Sequence, residues 1–372
     1  MKKVLLLYAD VGSGHRIAVQ ALQAAIAKRS DALEYVVQAV DIFAELDVAP
    51  FNTSNSSHEL FTSNYTLEGL ASFVWRVCNT FAGNGVLRAY VEGRLKEDLK
   101  VFLLEQKPDL IICAHPMVAM ALSELKNELG FKYTIAVTDL VTMMRGWHDQ
   151  NADIVFAPTL EAKQTMIERM GAICPRVEAP FFPLRQNYLH VAEKSQIMSE
   201  LKFTDPARPV IGITGGGVGT KVLTGVVRDL AALNKYNLIV FTGDLRFMRE
   251  SLERRYRERS DIRVFGFVDN IYDYFNACDI LIAKPSATTV IELTAMQKPT
   301  VFSKYLMEND KGNVDYLLTK PWFRYAGSSR PKLLEQVTEL SEYMAQKPDL
   351  KPDASFAHMV DFIVDESLKL LA

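Results

Sequence analysis

Three clusters in this chain combine residue types and spacings that suit chemistry. The first is Asp10-Val11-Gly12-Ser13-Gly14-His15-Arg16, which follows the apolar run Val4-Leu5-Leu6-Leu7-Tyr8-Ala9. An imidazole takes up a proton near neutral pH, and glycines let a ligand approach the backbone closely. His15 behind Gly12, Ser13 and Gly14 reads either as a general base beside a polar ligand or as a histidine capping a helix after a glycine turn. The second cluster, Gly215-Gly216-Gly217, also follows an apolar run and opens a helical pattern. Bare backbone amides at a helix start suit phosphate oxygens. No Gly-Lys-Ser or Gly-Lys-Thr follows, and the spacing of a dinucleotide fingerprint is missing, so a flexible turn is the alternative. The third cluster is Lys284-Pro285-Ser286-Ala287-Thr288-Thr289-Val290-Ile291-Glu292. Its small residues admit a ligand, the helix start suits an anion, and a carboxylate at Glu292 can accept both hydroxyls of a ribose. Thr288 or Thr289 with Glu292 also fits a capping box.

Each cluster needs an element to hold it. Apolar runs at 4–9, 36–40, 110–114, 133–137 and 154–157 alternate with helical patterns, as do runs at 209–214, 238–241, 280–283 and 300–302. Such alternation predicts right-handed crossovers and parallel sheets. In parallel sheets ligands bind at the carboxyl edge, where all three clusters would lie. The fold class expected is α/β, with two Rossmann-like doubly wound domains facing across a cleft. Ala179-Pro180-Phe181-Phe182-Pro183 reads as the linker, because its prolines favour an extended path. The expected domains are 1–183, 184–354 and a C-terminal helix over 355–372 that packs back towards the first.

A chain of 372 residues is long for one core, and 49% hydrophobic with 23% charged residues is the balance of a folded protein. A net charge of −3 argues against nucleic acid as a partner. Cys78, Cys113, Cys174 and Cys278 lie far apart without a metal-binding spacing and read as reduced, buried thiols. The first apolar run, of about six residues, is too short for a signal peptide or a membrane span, which predicts a cytoplasmic protein. Residues 50–95 interrupt the rhythm with a polar run, Asn52 to Ser57, then Phe61, Tyr65, Leu70, Phe73, Val74, Trp75 and Phe81 among Arg76, Arg88, Arg94 and Lys96. This insertion reads as ordinary helix packing or as a surface for a lipid–water interface.

The clusters, together with Ala114-His115-Pro116, Val137-Thr138-Asp139-Leu140, Gly266-Phe267-Val268-Asp269 and Asn313-Val314-Asp315-Tyr316-Leu317, occur in an order that resembles GT-B glycosyltransferases. The likeness is to the family 28-like group of monogalactosyldiacylglycerol synthases and processive diacylglycerol glucosyltransferases, and it covers most of the chain. The resemblance implies an inverting hexosyltransferase that moves a sugar from a UDP-sugar to a lipid hydroxyl, diacylglycerol above all, giving a β-glycolipid. It implies His15 as base, with Gly12, Ser13, Gly14, His115 and Asp139 around the acceptor. Gly215, Gly216 and Gly217 match the diphosphate loop, Phe267 and Val268 the backbone that meets uracil, and Glu292 the ribose-binding acid. Lys284, Ser286, Ala287, Thr288 and Thr289 complete the donor side. No cofactor and no metal are implied beyond the donor itself. A lipid acceptor at an anionic membrane surface implies peripheral attachment to the inner face of the cell membrane.

The chain departs from the family pattern at three places. Ser286-Ala287 replaces Gly-Gly after Lys-Pro, Asn309-Asp310 replaces a Gln-Glu pair that reads the sugar, and Met143-Met144 stand where a histidine is common. A UDP-sugar epimerase of the same architecture and a catalytically weak sugar-nucleotide-binding subunit are the competing functions. Donor sugar, acceptor, processivity and oligomeric state stay open.

Overall fold

Most of the apolar runs form strands buried on both faces. In the computed structural model, Val4, Leu5, Leu6 and Leu7 are each fully buried, and alternate residues point to opposite faces. Leu5 and Leu7 join one core with Ile111, Cys113 and Trp147, while Val4 and Leu6 join another with Leu22, Ile26 and Ile363. The structure describes residues 1–10, 13–29, 34–48, 76–77, 79–215, 223–305, 308–346 and 350–371. They fall into two units: Met1–Arg185 with Met307–Gly312 and Ser355–Ala372, and Gln186–Leu306 with Asn313–Ala354.

The first unit has strands β1 Lys2–Tyr8, β2 Tyr35–Asp41, β3 Leu110–Cys113, β4 Lys132–Ala136, β5 Ile154–Phe156 and β6 Arg176–Glu178. All pair in parallel in the order β2-β1-β3-β4-β5-β6. The chain order reverses at β1, between β2 and β3, which marks the crevice where open parallel sheets bind ligands. The second unit has β7 Val210–Thr214, β8 Asn237–Phe241, β9 Ile262–Phe265, β10 Ile280–Ala283, β11 Thr300–Ser303 and β12 Phe323–Gly327, again all parallel, in the order β12-β11-β10-β7-β8-β9. Its reversal falls at β7, between β8 and β10. Each unit is thus doubly wound, and the α/β class is as the sequence predicts.

Three of the four outermost strands, β6, β9 and β12, were not among the expected runs. Each pairs along one edge only and carries charged or half-buried positions such as Arg176, Arg263 and Arg324. The segment 179–183 does not behave as a free linker. The Phe181 amide donates to the Ala157 carbonyl at 2.9 Å, Phe182 is buried, and Phe181 stacks on Phe362 at 3.9 Å.

Phe362 belongs to the helix Ala357–Leu368, which lays Val360, Ile363 and Val364 against Val19 and Leu22 of the helix Ser13–Ala27. Arg29 fixes the pair electrostatically, with Asp365 at 2.7 Å and Asp361 at 3.4 Å. Within the insertion, residues 49–75 and Cys78 lie outside the described residues, so the polar run and most of its aromatics do too. The remainder is helical from Phe81 to Gln106 through a wider turn at Glu92–Lys96, and it buries Val91, Leu95, Leu99 and Phe102 in the first core. Cys113 and Cys278 are buried thiols, pushed up to about 12 by burial, and Cys174 is half-buried.

One buried carboxylate organises the loop after β4. Asp149, 3% exposed, accepts from the Tyr133 hydroxyl at 2.6 Å, the Ser123 hydroxyl at 2.9 Å, and the amides of Asn151 at 2.8 Å and Ala152 at 3.3 Å. Burial raises its carboxyl above the ordinary value and those donors oppose the rise. Asp149→Ala leaves these donors stranded, each at about 1–3 kcal/mol. The expected loss of unfolding free energy in urea is therefore roughly 3 kcal/mol or more, with an unchanged denaturant slope.

Candidate functional site

At the carboxyl edge of the first sheet, β1, β3 and β4 are neighbours, so the residues that follow them emerge side by side. The helix Ser13–Ala27 after β1 carries half-buried His15 in its first turn. Ala114 and His115 follow β3, and Thr138 and Asp139 follow β4. His15 Nδ1 lies 2.7 Å from the Ala114 carbonyl oxygen and 2.9 Å from Thr138 Oγ1. A carbonyl only accepts, so Nδ1 carries the proton and donates, and the lone pair falls on Nε2. Burial lowers the imidazole below its ordinary value, and the charge of Asp139, the Ala114 bond and Asp10 oppose that. The ring is therefore neutral at pH 7.

Aromatic rings fix the imidazole from the sides. His115 meets it edge-on at 4.8 Å between centroids, and Trp147 lies tilted at 6.4 Å. His115 is 5% exposed, packs edge-on against Phe43 at 5.2 Å, and among the described residues its Nδ1 has no hydrogen-bond partner. Burial, then the neighbouring His15, holds it well below the ordinary value. Asp10 pairs with Arg16 at 3.0 Å, yet burial raises its carboxyl.

Asp139 stands beside this group without bonding to His15. Its Oδ2 accepts from the Trp147 indole at 2.8 Å and the Met144 amide at 3.1 Å, and its Oδ1 accepts from Asn309 Nδ2 at 3.2 Å. Asp139 thus caps the loop after β4, and the groups that orient His15 are Ala114 and Thr138. The turn Arg145–Trp147 presses on the helix Pro116–Leu129 closely enough that a Cβ at Gly146 would sit 2.9 Å from the Pro116 carbonyl oxygen.

At the carboxyl edge of the second sheet, β7 and β10 are neighbours, paired at Ile213 and Ile282. Gly215 is buried directly after β7, and Lys284-Pro285-Ser286 follow β10, so they leave neighbouring strands at the same sheet edge. Gly12, Gly216 and Gly217 lie outside the described residues. Ser286 caps the helix Ala287–Ala295 by position, but its hydroxyl bonds to Thr289 Oγ1 at 2.9 Å and makes no bond to the helix amides. No side chain among the described residues thus covers that positive helix end. Because Thr288 and Thr289 lie inside the helix, neither starts a capping box with Glu292.

Glu292 is 7% exposed and accepts from the Tyr272 hydroxyl on Oε1, a partner that the sequence did not signal. Phe267 and Val268 follow β9, Phe267 54% exposed and Val268 half-buried. Asp310 is buried and, with Asn309, lies in the stretch of 307–312 that belongs to the first unit. The structure therefore gathers His15, His115, Asp139 and Asn309 in the first unit. It gathers Gly215, Lys284, Ser286, Ala287, Thr288, Thr289 and Glu292 in the second.

Two doubly wound parallel sheets in tandem, each with polar residues at its carboxyl edge, define the GT-B class of fold. Solved structures agree. The chain superimposes on the UDP-GlcNAc 2-epimerase of Neisseria meningitidis bound to UDP-GlcNAc with a TM-score of 0.64 at 13% identity, covering 99% of this chain and 100% of that one. It superimposes on Acinetobacter baumannii MurG with a TM-score of 0.61 at 15% identity, covering 99% and 100%.

Sequence comparison narrows the class. Residues 15–173 match the monogalactosyldiacylglycerol (MGDG) synthase family, and residues 210–346 the glycosyltransferase family 28 C-terminal domain. Monogalactosyldiacylglycerol synthase 1, chloroplastic, of Arabidopsis thaliana is 24% identical over 352 residues, 90% of this chain. The processive diacylglycerol beta-glucosyltransferase of Bacillus cytotoxicus is 25% identical over 380 residues, 98% of this chain and 94% of that protein. The chain spans 64% of the Arabidopsis protein and 63% of a probable synthase of Glycine max. The N-terminal part of the chain is thus similar to monogalactosyldiacylglycerol synthases and the C-terminal part to family 28 glycosyltransferases, each over less than half of its length.

His148 gives the first unit a measurable pH dependence. Burial lowers its imidazole to about 4, with Arg169 and Arg145 adding to the fall and the bond to the Arg145 carbonyl opposing it. The unfolded chain binds that proton near the ordinary value of about 6.5. Stability from this group is therefore complete above about pH 6.5 and is lost as pH falls towards about 4. The raised carboxyls of Asp10 and Asp149 act in the opposite sense, so a variant isolates the histidine. Urea midpoints measured across that window should fall less steeply for His148→Gln than for the wild type.

Proposed function

We propose that this chain transfers a hexose from a UDP-sugar to the hydroxyl of a diacylglycerol-type lipid, in one displacement that inverts the anomeric carbon. The observation that carries the reading is the His15 hydrogen bond to the Ala114 carbonyl. It leaves a neutral imidazole with its lone pair on Nε2, the form a general base needs. In one displacement the acceptor oxygen bonds to the anomeric carbon as the bond to the UDP oxygen breaks. The acceptor proton passes to Nε2, and the leaving diphosphate carries the negative charge away.

The first unit supplies the base, with Gly12, Ser13, Gly14 and His115 as its acceptor surroundings. The second supplies the leaving-group side: the loop Gly215-Gly216-Gly217 and the uncapped helix start at Ser286, Ala287, Thr288 and Thr289, with Lys284 adding charge. Backbone amides and a helix end can stabilise a diphosphate without a resident metal. Glu292, oriented by Tyr272, would hold the ribose, and the Phe267-Val268 backbone the uracil. The match to a galactolipid synthase family and to a family 28 donor domain supports transfer over epimerisation, since the fold alone is shared with an epimerase.

Among the described residues no helix is long and apolar enough to cross a membrane. Val86, Val101 and Leu104 are exposed along the helical run 81–106. Exposed apolar side chains there support peripheral attachment to a lipid surface.

The test is purified protein with UDP-glucose, UDP-galactose or UDP-N-acetylglucosamine and mixed lipids. Transfer predicts a new glycolipid, epimerisation an isomerised sugar nucleotide, and a binding subunit neither product. His15→Ala should lower kcat by about 10²–10⁴-fold while UDP affinity stays within about twofold; unchanged turnover removes His15 as the base. Glu292→Ala should instead weaken UDP binding by about tenfold, the scale of one charged hydrogen bond. Calorimetric titration with UDP reads that change directly.

A further inference from the structure

We infer that Asn309 is a positioning residue for Asp139 and not a reader of the sugar, the two side chains forming one unit that holds the Trp147 loop beside His15. The inference rests on the proposed transfer reaction for its kinetic meaning. Asn309 stands where the family pattern carries a longer amide that reads the sugar, yet its Nδ2 donates to Asp139 Oδ1 at 3.2 Å. A carboxylate only accepts, so the amide must turn its nitrogen towards Asp139 and its oxygen away. That oxygen is buried and without a hydrogen-bond partner among the described residues. The segment also presses on the same loop at Gly312, where a Cβ would lie 3.0 Å from the Thr142 backbone nitrogen.

Asp139 is thereby enclosed by Asn309 on one oxygen and by Trp147 and Met144 on the other. None of these donors carries a charge. Its neighbours in the chain and in space are the groups that frame the base: Thr138 at 2.9 Å from His15 Nδ1 and Trp147 at 6.4 Å from the imidazole ring. Asn309 has the length this geometry needs.

The arrangement can be inverted. Asn309→Asp alone sets two carboxylates against each other at about 3 Å, which is repulsive. Adding Asp139→Asn restores a carboxamide–carboxylate pair: the new amide oxygen can accept from Trp147 and Met144, and its nitrogen can donate to the carboxylate at 309.

The experiment measures melting temperature, kcat and donor KM for the full chain as wild type, Asn309→Asp, Asp139→Asn and the double variant. Asn309→Asp should lower the melting temperature and reduce kcat by about tenfold, with donor KM moving less than about twofold, and the double variant should recover most of both. A large rise in donor KM with no recovery in the double variant would make Asn309 a sugar reader and overturn the inference. An unchanged melting temperature in Asn309→Asp would overturn it as well. If the wild type transfers no sugar, the proposed function falls, and the melting-temperature cycle still decides whether the pair exists.

Discussion

A single hydrogen bond, from His15 Nδ1 to the Ala114 carbonyl, gives the chemistry of the first unit its direction. It exists because β1 and β3 are adjacent and parallel, so the turn leaving one strand must pass the turn leaving the other at the same edge. A free imidazole of this kind exchanges tautomers. One held on a main-chain carbonyl cannot, and burial then keeps it neutral. The backbone supplies the orientation that a carboxylate supplies to many other histidines. Asp139 is released from that duty and holds the Trp147 loop instead, acting on the imidazole only through its charge.

The second unit solves the opposite electrostatic problem with similar means. Its ligand would be anionic, and it offers a buried glycine after β7 and a helix start after β10 whose cap residue Ser286 leaves the helix amides without a side-chain bond. Glu292, further along that helix, is buried and bonded to the Tyr272 hydroxyl, which orients it. Each unit thus relies on backbone groups for its polar work and uses side chains to aim them.

Interior strands were legible because a strand buried on both faces must be apolar throughout, as in Val4–Leu7, Leu110–Cys113 and Ile280–Ala283. Of the four edge strands β2 kept an apolar run, but β6, β9 and β12 did not, since one open side relaxes that demand and admits Arg176, Arg263 and Arg324. His15 was legible from its glycine turn and from its place after an apolar run. Thr138 and Tyr272 were not, because a hydroxyl after a strand and a tyrosine in a helix carry no local signal for the partner they find. The pairing of Asp139 with Asn309 joins residues 170 positions apart, and only the folded chain brings them together. The polar anchor at Asp149 was hidden in the same way: its donors come from a helix, a strand and its own turn.

The central claim is the protonation state of one ring, and nitrogen-15 NMR of histidine-labelled protein, with His15 assigned by comparison with His15→Gln, reads it directly. The account predicts a neutral ring at pH 7 with the proton on Nδ1, an unprotonated Nε2, and a titration midpoint below that of a free histidine. A proton on Nε2, or an imidazolium at pH 7, would contradict it.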